Sequence, residues 1–85
     1  MKKYQVVFSK RAEKDIEKLP ARAVERIIPV IISLEENPRP HGCKKLKGFS
    51  NLWRVRIGDY RVLYSIEDVV LLVDVREVDN RKDIY

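Results

Sequence analysis

Three arginines, Arg54, Arg56 and Arg61, fall within the stretch LWRVRIGDYRVLY, and Lys44, Lys45 and Lys47 stand in the loop just before it. An arginine keeps its proton at any physiological pH, so it acts as a fixed cation, and its planar fork grips phosphate through two parallel hydrogen bonds. Gathered on one surface, such groups bind a polyanion, with RNA the foremost candidate. They also stabilise charge that builds on a phosphate under attack. Whether they are gathered depends on the strands that carry them.

Alternation answers that. Side chains along a strand point to opposite faces in turn, so Trp53, Val55 and Ile57 share one face while Leu52, Arg54 and Arg56 share the other. In the following stretch Tyr60, Val62, Tyr64 and Ile66 lie together, and Arg61, Leu63 and Ser65 lie opposite. Gly58-Asp59 suits a two-residue hairpin loop with glycine at its first central position. That loop sets Ile57 against Tyr60, Arg56 against Arg61 and Arg54 against Leu63. Trp53, Tyr60 and Tyr64 then belong to the core, and the three arginines cluster on the far face. Like charges facing each other across strands cost about 0.2–1 kcal/mol, a cost that a bound anion would remove. The same charges would also keep an open sheet face hydrated, and both readings stand at this point. A second two-residue turn at Glu67-Asp68 would bring Asp74 opposite Arg61 as a partial neutraliser.

The elements that carry the hairpin follow from the remaining pattern. Tyr4 to Phe8 reads as a strand. Ser9 is suited to cap a helix in which Ala12, Ile16 and Leu19 recur at helical spacing. After Pro20, a second helix is marked by Val24, Ile27, Ile28, Ile31, Ile32 and Leu34. Pro29 inside it predicts a kink or a restart, because an interior proline removes a hydrogen bond and costs about 3 kcal/mol. The helix should be over by Asn37-Pro38, leaving a basic loop from Arg39 to Gly48. Strands are expected at Leu52 to Ile57, Tyr60 to Ile66 and Val69 to Val78. The fold class is therefore α+β: an N-terminal strand, two helices, then a three-stranded antiparallel meander, with the helices on one face of the sheet.

Bulk properties narrow the function further. At 85 residues the chain is expected to form one domain, residues 1–85. Its net charge is +5, and the distribution says more than the sum. From Arg39 to Arg61 seven Lys and Arg stand against Asp59 alone, whereas from Val62 to Asn80 only Arg76 opposes Glu67, Asp68, Asp74, Glu77 and Asp79. The longest apolar run, Val69 to Val73, is far short of the roughly 20 residues of a membrane helix. No signal-peptide pattern follows Met1-Lys2-Lys3. Cys43 is the only cysteine and His41 the only histidine, so neither an internal disulfide nor a metal-ligand cluster is expected. Cys43 reads as structural and His41 as solvated. No cofactor is implied, and a cytoplasmic protein is expected.

Taken together, the loop ending in Lys45-Leu46-Lys47-Gly48, the hairpin LWRVRIGDYRVLY and the closing NRKDIY resemble the RelE/ParE superfamily of bacterial and archaeal toxins, over essentially the whole chain. The resemblance implies a toxin of a type II toxin–antitoxin system, of the RelE branch. Such a toxin is a metal-independent endoribonuclease that enters the ribosomal A site and cuts the mRNA held there. It implies that Arg54 and Arg56 match a basic pair on the second strand, Arg61 an arginine stabilising the transition state, and Arg81 and Tyr85 a C-terminal arginine and tyrosine. Lys44, Lys45 and Lys47 would join Arg54 and Arg56 in holding RNA. The partners implied are the ribosome, mRNA and an antitoxin with a neutralising helical tail. The sequence departs from the pattern at Asn80, where relatives often carry a histidine. A gyrase-poisoning toxin of the ParE branch and a decayed toxin that only binds antitoxin or RNA are the alternatives.

Overall fold

A computed structural model describes residues 3–80. Its elements are β1 (Gln5–Phe8), α1 (Lys10–Glu17), α2 (Ala21–Ser33), β2 (Lys44–Lys45), β3 (Trp53–Ile57), β4 (Tyr60–Glu67) and β5 (Leu72–Asn80). The strands form one sheet in the order β1-β5-β4-β3-β2. β1 runs parallel to β5, and the other neighbours are antiparallel, so the expected meander is the centre of a five-stranded mixed sheet. The parallel β1–β5 pairing needs a crossover, which the two helices supply.

Ser9 caps α1 as expected, its Oγ accepting from the Ala12 N–H at 3.0 Å. The same hydroxyl donates to the Arg76 carbonyl, and the Asp15 carboxylate accepts from the Val78 N–H at 3.1 Å. β1 stops opposite Val75, and beyond it α1 supplies polar groups to the edge of β5 that β1 leaves uncovered. α2 lies over the sheet with Ala23, Ile27 and Ile31 turned inward. They meet Val55, Ile57, Val62, Tyr64, Ile66, Val73, Val75 and Val78 in the core.

Two expectations need correction. α2 runs unbroken through Pro29 and neither stops nor restarts. Pro29 and Glu25, the residue whose carbonyl loses its partner, are both exposed on one side of the helix, so water can solvate that carbonyl while the buried face stays intact. The β4–β5 connection is also longer than a two-residue turn. Glu67 pairs with Leu72, leaving 68–71 as the loop, with Leu71 at φ +53°. Asp68 is drawn out of the strand by the Arg39 guanidinium at 2.8 Å and the Tyr4 hydroxyl at 2.7 Å. Val69 and Val70 are left 97% and 68% exposed instead of opening a strand. A bulge at Arg76 shifts the register again, and Arg61 pairs with Asp79 while Asp74 faces Ser65.

No helix of the described residues is long and apolar enough to cross a membrane.

Candidate functional site

The β3–β4 hairpin has the expected register throughout: Ile57 against Tyr60, Arg56 against Arg61, Arg54 against Leu63. Of its two loop residues only Gly58 has positive φ (+60°), as a type II′ turn requires. Val55, Ile57, Val62 and Tyr64 are buried under the helices. Arg54, Arg56 and Arg61 therefore share the opposite face, which is helix-free among the described residues.

β2 adds what periodicity did not show. Two residues of the basic loop pair with β3 at the sheet edge, setting Lys44 opposite Arg54 and Lys45 opposite Trp53. Lys44 thus joins the arginine face. Lys45 goes to the other side, its Nζ 6.0 Å from the centre of the Trp53 ring. Arg39 also leaves the basic set: it stacks over Trp53 at 4.9 Å and pairs with Asp68. Lys47 is exposed in the turn after β2. Arg81 and Tyr85 lie outside the described residues. Asn80 closes β5 opposite Tyr60.

The helix-free face therefore carries two like-charged cross-strand pairs, Lys44–Arg54 and Arg56–Arg61. Among the described residues no carboxylate forms an ion pair with Lys44, Lys47, Arg54 or Arg56. The acidic residues of β5 border this strip, with Asp79 across from Arg61 and Glu77 across from Leu63. Arg11 of α1 reaches both, at 3.6 Å each, and also Asp15 at 3.3 Å. Their charge is thus shared with a cation on the far side from the strip. Burial raises the Glu77 carboxyl above its ordinary value and Asp79 raises it further, while Arg11 opposes the shift. Neither the Arg11 link nor the β5 register could be read from the sequence, because both depend on the bulge and on where α1 docks.

Such a surface can hold a phosphodiester and stabilise added charge on it. It offers fixed cations in place of a group that titrates near neutrality.

A family model described as the ParE toxin of type II toxin–antitoxin systems, parDE, matches residues 6–85. The chain belongs to the RelE/ParE toxin family. Its relatives include the RelE1 protein of Methanocaldococcus jannaschii, 33% identical over 98% of this chain and 96% of the relative. Toxin RelG of Mycobacterium tuberculosis is 32% identical over 96% of this chain and 95% of its own length. Among solved structures, the archaeal RelE–RelB complex of Pyrococcus horikoshii superposes with a TM-score of 0.82 at 30% identity, covering 93% of this chain and 96% of that one. The RelE/ParE likeness read from the hairpin and the closing motif is therefore matched by curated relatives and by folds alike, and the α+β architecture is that of the RelE structures.

Proposed function

We propose that this RelE/ParE-family protein is a ribosome-dependent mRNA endonuclease, held at rest by an antitoxin of the RelB kind. The observation that carries the reading is the register that sets Lys44 opposite Arg54 and Arg56 opposite Arg61, on a sheet face that no helix of the described residues covers. Like charges set opposite each other across strands oppose the fold, and a phosphate bound between them is attracted to both.

In this reading the 2′-hydroxyl of an A-site nucleotide gives up its proton to water and attacks the adjacent phosphorus. The bond to the 5′ oxygen breaks with that oxygen taking a proton from water, and a 2′,3′-cyclic phosphate and a 5′-hydroxyl remain. Arg54, Arg56 and Arg61 stabilise the charge on the pentavalent phosphorane. The resemblance of the closing NRKDIY to the family supports Arg81 and Tyr85 as further members of the site. Arginine is too weak an acid and Asn80 has no proton to exchange, so the burden falls on electrostatic stabilisation. An antitoxin partner is supported by the RelE–RelB complex among the fold's neighbours, and an acidic tail would find the same cations that RNA does.

The test is primer extension on a defined mRNA stalled in purified ribosomes with an empty A site. Cleavage within the A-site codon, absent without ribosomes, is expected. The ParE description of the matching family model keeps one other reading in play, poisoning of DNA gyrase without nuclease chemistry. Inhibited supercoiling with intact mRNA would select it.

A further inference from the structure

The helix-free face is not uniformly cationic. Moving away from the hairpin loop, Arg56 and Arg61 give way to Arg54 and Leu63, and then to Leu52 and Ser65. At that point the surface opens into a recess of about 450 Å³, its lining including Phe49, Asn51, Leu52, Ser65, Glu67 and Arg76. Successive same-face residues on a strand are about 7 Å apart. One extended nucleotide therefore spans the step from the arginines to the recess.

The recess has the features of a base-binding site. Phe49 is 59% exposed, an aromatic ring presented to solvent with no part in the core. Asn51 holds its geometry: its amide donates to the Ile66 carbonyl at 2.7 Å and to Glu67 Oε2 at 2.9 Å, and its oxygen accepts from the Trp53 indole and the Ile66 N–H. With Oε2 so engaged, Glu67 Oε1 is left as an acceptor at the rim. Ionised carboxylate accepts and cannot donate. Arg76 is turned toward Asp74 at 2.8 Å, so its charge is already shared.

We propose that this recess is a nucleobase subsite on the RNA path, holding the base of a nucleotide next to the phosphate gripped by Arg54, Arg56 and Arg61. The base stacks on Phe49, and its edge meets the Ser65 hydroxyl and Glu67. An acceptor-only carboxylate takes adenine's amino group readily, whereas uracil offers only an N3–H flanked by two carbonyl oxygens that the carboxylate repels, so adenine is preferred over uracil. The assignment rests on the RNA reading of the arginine face.

Two measurements run side by side test it: binding of hexa-adenylate and hexa-uridylate to the isolated protein at low salt, and cleavage on ribosomes. The expected results are tighter binding of hexa-adenylate and a roughly tenfold loss of its affinity in Phe49→Ala. Phe49→Trp keeps the affinity, and Glu67→Gln narrows the preference between the two RNAs. Arg56→Ala weakens both RNAs alike. Equal binding of the two RNAs by the wild type, or wild-type affinity in a folded Phe49→Ala, overturns the subsite even if cleavage proceeds. Failure of the wild type to bind either RNA overturns it too. Loss of the nuclease reading is recognised separately, by ribosomes that leave the mRNA uncut.

Discussion

Along β3 and β4, neighbouring residues live under two different rules. On the helix side Val55, Ile57, Val62 and Tyr64 are buried and packed against α2, and even the Tyr64 hydroxyl has its partner, the Pro38 carbonyl at 2.8 Å. On the other side Lys44 faces Arg54 and Arg56 faces Arg61. One face pairs the polar group it buries; the other sets like charges opposite one another. The contrast teaches that the hairpin is held by its apolar half, so that its cationic half is available for function.

Breaking the apolar half should cost most. Ile27→Ala, at a fully buried position, is expected to destabilise the fold by about 2–5 kcal/mol in denaturant unfolding. On the cationic half the effects should separate: Arg56→Ala leaves stability within about 0.5 kcal/mol or slightly improves it, yet slows ribosomal cleavage by about 10²-fold or more. Tyr64→Phe deprives the Pro38 carbonyl of its donor and is expected to cost about 1–3 kcal/mol. Gly58→Ala, at φ +60° and with its new methyl 2.8 Å from the Arg26 guanidinium, should cost about 1 kcal/mol, since the flexible arginine can move and the backbone cannot.

The smallest effect concerns the β4–β5 loop. Arg39, and after it Tyr4, hold the Asp68 carboxyl below its ordinary value. A lowered folded-state pKa means that the stabilisation is present above the unfolded value, about 4, and is lost as pH falls through the folded one. The difference in melting temperature between wild type and Asp68→Asn should therefore be small at pH 6 and shrink as the pH falls below about 4. A difference that grew on acidification would contradict the assignment.

How much of this was legible depended on the range of the interaction. The hairpin register was readable because alternation and a two-residue glycine turn are local rules, and they put Arg54, Arg56 and Arg61 on one face. Ser9 as a cap was readable for the same reason. The β4–β5 turn was not, because Asp68 answers to Arg39 and Tyr4, distant in sequence. Asp79 took the place expected for Asp74 opposite Arg61 through that longer loop and the bulge at Arg76. Lys44 and Lys45 looked alike in the loop, and only the short pairing of β2 with β3 sends them to opposite faces. Phe49 gave no signal, since its role depends on the recess that the hairpin shapes beside it.

The most direct test pairs two readouts on one protein, the Arg54→Ala/Arg56→Ala double variant: its thermal unfolding, and its cleavage of mRNA on ribosomes with an empty A site. The expected result is an unfolding midpoint at or slightly above that of the wild type, with cleavage abolished. Wild-type cleavage by the folded variant, or a large loss of stability, would contradict the claim that this face exists for an anion rather than for the fold.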